Sequence, residues 1–207
     1  QALFDGQAAG RSMEELPRAF YGILWEIETN RVIYAGPKTT PDWTLGEVVR
    51  SAISLAPVVQ PYERGGRHYV DGGVIDVMPV RPLVEHHPEI DAFVAINGFL
   101  PVGLQGPDLH GWHKRSNGLL SVARQLQLAQ HQEFARREWA TIADRAWLVE
   151  PITDIQAYGI NFFAAMVDRS VWPERIRAGH AAARAVLQRP VGARTADLVG
   201  PTPGRES

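Results

Sequence analysis

A carboxylate that directly follows a predicted β-strand is one residue of this sequence whose type could do acid–base chemistry. Residues 67–70 are typical of a short strand, and Asp71-Gly72-Gly73 follows them. An aspartate with the ordinary pKa of about 3.9 is a weak base towards a hydroxyl group. Partial burial raises that pKa towards the working range of enzymes, and the glycines permit a tight turn with backbone close to the carboxylate. Asp-Gly-Gly by itself is more often only a turn, so a catalytic role for Asp71 depends on the flanking pattern.

The nucleophile that such a base would activate has no clear candidate in these 207 residues. No Gly-x-Ser-x-Gly sequence occurs, and the nearest approach is Ser116, which has Gly118 after it but Lys114 two places before it. Ser51 and Ser54 are alternative nucleophiles. Polar residues in the last turn of a helix are usually structural, however, and that interpretation is preferred for both serines.

Histidine chemistry offers a competing site. His110 and His113 have an H-x-x-H spacing on a glycine-containing loop, and His86 and His87 are only vague candidates for a third ligand. Such histidines are more often surface residues, so we expect no metal and no cofactor. The sequence contains no cysteine, which excludes disulfides, thiolate zinc sites and a thiol nucleophile.

Composition narrows the class of protein. The hydrophobic fraction is 45%, the charged fraction is 21% and the formal net charge is -2, as in ordinary globular proteins. No basic stripe stands out, so we expect no nucleic-acid partner. No apolar run of about 18 residues is present, which predicts no membrane-spanning helix. Residues 162–167 form a short apolar segment that could touch lipid, although such a segment is more typical of a core or an acyl-pocket wall.

The elements around Asp71 are predicted from local patterns. Residues 19–27 and 31–35 are two strands separated by a turn, which indicates a hairpin. Thr44 opens a helix that stops near residue 57, and Glu47 completes its capping box. A short helix is predicted over residues 79–87.

The second half alternates helices with strands, which favours an α/β layer. Residues 90–96 are almost continuously apolar, as expected for a strand buried on both faces of a parallel sheet. A second such strand is predicted over residues 145–149. Helices are predicted over residues 116–142, 160–167 and 173–187. The first of them carries an apolar stripe formed by Leu119, Val122, Ala123, Leu126, Ala129, Phe134 and Trp139.

An ordered series of motifs extends over residues 50–80. Arg-Ser-Ala-Ile-Ser-Leu-Ala-Pro occupies positions 50–57, Tyr-Val-Asp-Gly-Gly-Val positions 69–74, and Met-Pro-Val positions 78–80. This series resembles the patatin-like phospholipases, in which a serine-rich helix end precedes a proline, a strand ending in Asp-Gly-Gly or Asp-Gly-Ala, and an Asn-x-Pro step. The resemblance covers about residues 14–150. It departs from the family at Ala56, where the proline comes one place later, and at Asp76 and Val77, where the family often has asparagine.

The resemblance implies an α/β fold, a three-layer patatin-like sandwich with a mainly parallel central sheet that is incomplete at its N-terminal side. Residues 1–189 would be a partial domain and residues 190–207 a loose C-terminal tail. The family places its serine elbow and oxyanion loop N-terminal to the matched region. Asp71 would therefore be the catalytic base of a Ser-Asp dyad, supported by Gly72 and Gly73, and the chain alone would be inactive.

The implied activity is hydrolysis of a lipid ester or phospholipid, as in a phospholipase or esterase. The implied partners are that substrate, the missing N-terminal segment of the same domain and a membrane surface contacted peripherally. The implied location is cytoplasmic or peripheral to a membrane. Two alternatives remain open, namely a non-catalytic binding or scaffold remnant of the fold, and a metal-dependent hydrolase built on the histidines.

Overall fold

A computed structural model describes residues 10–55, 59–104, 119–151 and 168–192. The chain divides into two compact units, residues 1–89 and residues 90–207. The predicted helix over residues 160–167, and the loose tail apart from its first three residues, lie outside the described ranges. No helix among the described residues is long and apolar enough to cross a membrane.

The first unit carries a four-stranded antiparallel sheet with the strand order β2-β1-β4-β3. The predicted hairpin is confirmed, and its turn contains Asn30 at a φ of 53°. A second hairpin, which the sequence analysis missed, turns at Gly65 and Gly66, both at positive φ. The elements in order are β1 (Gly22–Glu26), β2 (Arg31–Ala35), α1 (Leu45–Ala52), β3 (Tyr62–Arg64), β4 (Arg67–Asp71) and α2 (Arg81–His86).

Helix α1 begins at the predicted capping box. The Thr44 hydroxyl accepts a hydrogen bond from the Glu47 amide at 3.2 Å, and the Glu47 carboxylate accepts one from the Thr44 amide at 2.7 Å. The helix buries Val48 completely against the sheet. The core that results from this packing consists of Met13, Leu24, Ala35, Trp43, Val48 and Tyr69.

A buried carboxylate fixes the register between β1 and β4. Glu26 is 3% exposed and accepts hydrogen bonds from Thr29 at 2.8 Å, Arg67 at 2.7 Å and Tyr69 at 3.3 Å. Because Arg67 and Tyr69 both lie on β4, these bonds hold Glu26 opposite Tyr69. The same register places Asp71 opposite Leu24.

In the second unit, β5 (Phe93–Ile96) pairs in parallel with β6 (Ala146–Val149). The parallel pairing is confirmed, but the expectation of burial on both faces is wrong. Phe93 and Ala95 are buried, whereas Val94 is 51% and Ile96 62% exposed. Alternate side chains point to opposite faces of a strand, so the continuous apolar run has one buried face and one exposed face.

Two predicted helices are confirmed as α3 (Leu119–Ala140) and α4 (Trp172–Leu187). The prediction that an apolar stripe forms the buried face of α3 is wrong. Val122 and Leu126 are exposed, while the buried line includes the polar residues Gln132 and Glu138. Gln132 donates to the carbonyls of Pro101 and Leu104 at 2.5 and 3.0 Å. Gln132 is therefore hydrogen-bonded to an adjoining loop on this buried face. Side chains 119, 120, 121 and 124 lie outside the description.

The fold is mixed α/β, as expected, but the larger described sheet is antiparallel rather than mainly parallel. Tight turns join β1 to β2 and β3 to β4, and strands joined in this way can only run antiparallel. Parallel pairing among the described strands is confined to β5 and β6. The three-layer arrangement and the extent of a single domain over residues 1–189 stay predictions.

The capping box gives a stability prediction. We expect Thr44→Ala to lower the free energy of unfolding by about 1 kcal/mol, because the Glu47 amide loses its acceptor at the start of α1. Thr44→Ser keeps the hydroxyl and serves as the matched control. Urea unfolding of the chain measures both changes, and an equal loss in the serine variant would contradict the assigned role of the hydroxyl.

Candidate active site

The backbone of Asp71 is held from two sides. Asp71 ends β4 and pairs with Leu24 on β1. Its amide donates to the Ser54 carbonyl, just after α1, at 3.2 Å. A strand on one side and a helix exit on the other therefore fix the point from which the carboxylate projects.

The carboxylate of Asp71 is half-buried, and its two oxygens differ. Oδ1 accepts a hydrogen bond from the Gly73 amide at 2.8 Å. No group among the described residues donates to Oδ2, which leaves that oxygen able to accept a proton. Burial raises the pKa of Asp71, and the Gly73 hydrogen bond opposes this increase only in part. The arrangement is that of a weak base made stronger by desolvation.

Gly72 is required by the close approach of β1. A Cβ on Gly72 would lie 2.6 Å from Cγ1 of Ile23 and 2.8 Å from the amide nitrogen of Leu24. The second of these atoms belongs to the strand backbone and cannot turn aside. Strand β1 therefore lies directly against Gly72 and leaves no space for a side chain at this position.

Gly73 has a different role, because it supplies the amide that holds the carboxylate. A Cβ on this residue would lie 3.1 Å from Oδ1 of Asp71, which is a tight contact. Neither glycine has a positive φ, so both are required for space rather than for an unusual backbone conformation.

The turn that begins at Gly72 closes on itself. The Gly72 carbonyl accepts hydrogen bonds from the amides of Ile75 and Asp76, at 2.9 and 3.1 Å. The Asp76 side chain is buried and accepts from the Met78 amide at 3.2 Å and the Tyr34 hydroxyl at 2.8 Å. Sequence reasoning noted Asp76 as a departure from a family pattern but did not find Tyr34, because no local signal links residues 42 positions apart.

The alternative serine nucleophiles have structural surroundings. Ser51 and Ser54 are fully buried. The Ser51 hydroxyl donates to the Glu47 carbonyl at 2.8 Å, and the Ser54 hydroxyl donates to the Arg50 carbonyl at 2.9 Å. Both hydroxyls therefore hydrogen-bond to backbone carbonyls of the preceding helical turn, which supports the structural interpretation of these serines.

The histidines do not form a described metal site. Among the described residues, no group of three or more potential ligands is close enough to hold a metal ion. His87 instead bridges the Tyr21 hydroxyl at 3.1 Å and the Glu89 carboxylate at 3.0 Å, and His86 stacks on Tyr21. His110, His113, Ser116 and the apolar segment 162–167 lie outside the described residues.

Comparison with known proteins gives a distant similarity. No family profile matches the chain. Over 89 residues, which are 42% of the chain, it is 25% identical to uncharacterized NTE family proteins of Mycobacterium bovis and of two strains of Mycobacterium tuberculosis. The chain covers 23% of the length of these relatives. It is therefore similar to part of a much longer protein in each case.

The fit of Gly72 against β1 predicts a large effect from one methyl group. We expect Gly72→Ala to destabilise the chain by about 1 to 3 kcal/mol, because the backbone of Leu24 cannot move away without disturbing the sheet. Gly98→Ala is the control, since a Cβ there would meet nothing within 4 Å. Urea unfolding compares the two variants, and equal stabilities would show that the turn yields more easily than the geometry implies.

The raised pKa of Asp71 predicts how Asp71→Asn changes stability with pH. A raised pKa in the folded state means that folding favours the neutral carboxyl group and disfavours its charge. The variant should therefore be at least as stable as the parent at neutral pH. As the pH falls through the raised pKa towards 3.8, the parent should gain stability relative to the variant. Urea unfolding across this range measures the difference, and the opposite trend would contradict net desolvation of the carboxylate.

Proposed function

We propose that Asp71 is the general base of a Ser-Asp dyad in a lipid acyl hydrolase. The observation that carries this proposal is the half-buried carboxylate with one oxygen held by the Gly73 amide and the other able to accept a proton. Because its pKa is raised, Asp71 accepts a proton from a hydroxyl group more readily than an aspartate with the ordinary pKa does. Carboxylates with a pKa perturbed by desolvation are found more often at functional sites than elsewhere.

In the proposed reaction, a serine from a segment of the complete protein outside these residues lies against Oδ2. Asp71 takes the hydroxyl proton while the serine oxygen bonds to the ester carbonyl carbon. The tetrahedral intermediate collapses, the ester C–O bond breaks, and the alcohol leaves with the proton from Asp71. Water then attacks the acyl carbon of the acyl-serine and gives a proton to Asp71. The bond between the acyl carbon and the serine oxygen breaks, the fatty acid leaves, and the proton on Asp71 returns to the serine oxygen. Backbone amides of the same segment would stabilise the oxyanion.

The distant relatives support the reaction class. They are named as NTE family proteins, and NTE is a patatin-like phospholipase family, which suggests an esterase or hydrolase acting in lipid metabolism. We therefore propose a phospholipid or other lipid ester as substrate, and a membrane surface, contacted peripherally, as the place where the enzyme meets it. The similar region is short, so the site geometry of Asp71 carries more of the proposal than the similarity does.

The test of this function is Asp71→Asn in the complete protein. We expect kcat for hydrolysis of a lipid ester to fall by about 10²- to 10⁴-fold, because the amide cannot accept the serine proton. The variant should remain folded, since its amide oxygen can still accept from the Gly73 amide. Release of fatty acid from phospholipid vesicles measures the activity.

Asp91→Asn is the matched control, because Asp91 is exposed and lies in the other unit. It should hydrolyse the ester at the rate of the parent. Full activity of Asp71→Asn would refute the dyad. A complete parent protein that folds but hydrolyses no ester would favour the alternative of a non-catalytic scaffold.

A further inference from the structure

The turn that follows Asp71 is hydrogen-bonded to β2, a strand with which Asp71 does not pair. In the sheet order, β1 separates β4 from β2. Gly72 packs on Ile23 of β1, and Ile23 pairs with Tyr34 of β2. The Tyr34 hydroxyl donates to Asp76 at 2.8 Å. The turn after Asp71 therefore crosses β1 and is fastened at its far side by a side-chain hydrogen bond.

The fastening residue is a carboxylate with almost no access to water. Asp76 is 7% exposed, and among the described residues each of its oxygens accepts one hydrogen bond, Oδ1 from the Met78 amide and Oδ2 from the Tyr34 hydroxyl. A buried carboxylate is costly unless such donors satisfy it, so its partners are held in a fixed geometry. Its own amide donates to the Gly72 carbonyl at 3.1 Å. Side chain and backbone of the same residue thus join β2 to the first residue of the turn.

This anchoring leads directly to the carboxylate of Asp71. Gly72 is confined between β1, which leaves no room for a Cβ, and the hydrogen bond from Asp76. The next residue is Gly73, whose amide holds Oδ1 of Asp71 at 2.8 Å. If the turn lifted from β1, the Gly73 amide would move with it and the carboxylate would lose its orientation.

We propose that Asp76 and Tyr34 are positioning residues that set the orientation of the Asp71 carboxylate by clamping the Gly72–Asp76 turn onto β1. The catalytic part of this inference rests on the proposed function, because orientation of Asp71 affects the rate only if Asp71 is the base. The clamp itself is a property of the fold and is measurable without any activity.

The chemistry of the clamp distinguishes between substitutions of Asp76. Asparagine keeps an acceptor oxygen for the Met78 amide, and its NH₂ group can donate to the Tyr34 oxygen, because a phenol both donates and accepts. Alanine can do neither. The clamp should therefore survive Asp76→Asn and fail in Asp76→Ala.

The first measurement is amide hydrogen exchange of Gly73 in Tyr34→Phe. We expect exchange at Gly73 to accelerate about tenfold or more, because one hydrogen bond to a buried carboxylate is lost and the turn opens more often. The amides of Leu24 and Val70, in the sheet itself, should change much less. A purely global loss of stability would accelerate all three alike and would overturn the proposal.

Tyr62→Phe is the matched control. Tyr62 also donates its hydroxyl to a carboxylate, that of Glu47 at 3.1 Å, but it has no hydrogen bond to the turn. It should leave exchange at Gly73 unchanged. Asp76→Ala should reproduce Tyr34→Phe, Asp76→Asn should stay close to the parent, and Tyr34→Phe should add nothing in the Asp76→Ala background. An additional effect there would mean that Tyr34 acts through some other contact.

The second measurement is lipid-ester hydrolysis by the complete protein. Tyr34→Phe should lower kcat about tenfold with KM nearly unchanged, since the clamp orients the base and does not touch substrate. Unchanged exchange at Gly73 in Tyr34→Phe would overturn the clamp whatever the activity shows. Full activity of Asp71→Asn would instead overturn the proposed function. The hydrogen-exchange measurement would then still test the clamp, because it does not depend on activity.

Discussion

The close approach of Gly72 to β1 is the constraint on which the candidate site depends. The turn can lie flat on Ile23 and Leu24 because residue 72 has no side chain, and an added Cβ would fall 2.8 Å from a backbone nitrogen. Interiors are packed so closely that such a contact cannot be absorbed locally. From this one fit follow the position of the Gly73 amide and the orientation of the Asp71 carboxylate.

The same constraint holds the candidate site in a fixed geometry even though its sheet is antiparallel rather than parallel. Asp71 stands at the end of a strand whose register is fixed by Glu26, and the neighbouring strand β1 both pairs with this strand and supports the turn that follows Asp71. A site built on strands is held more accurately than one built on loops. The direction of the strands matters less here than the rigidity of the pair that carries Asp71.

Local rules predicted much of this geometry. The strand ending at Asp71, the first hairpin and the capping box at Thr44 are each encoded within a few residues, and each is present. The Gly65-Gly66 turn also has a local signal, since adjacent glycines between strand-forming residues are typical of a tight hairpin.

The errors arose where distant residues decide the outcome. The face that α3 buries was mispredicted because Gln132 bonds carbonyls of a loop about 30 residues away in sequence. The burial of β5 was overestimated because an apolar run alone does not show what covers each face. The contact between Tyr34 and Asp76 has the same origin, and no periodicity in the sequence signals it.

Glu26 and Asp71 are carboxylates on paired strands, and their pKa values are shifted in opposite directions. Burial raises the pKa of Glu26, but hydrogen bonds from Thr29, Arg67 and Tyr69 outweigh it, and the net shift is downwards. Burial likewise raises the pKa of Asp71, yet only the Gly73 amide opposes it, so the net shift is upwards. Glu26 thus has a positively charged partner, Arg67, in addition to its hydrogen bonds, whereas a single backbone amide opposes the effect of burial on Asp71. The proposed role of Asp71 as a general base depends on this difference, because a carboxylate with one donor and a raised pKa accepts a proton more readily than one paired with an arginine.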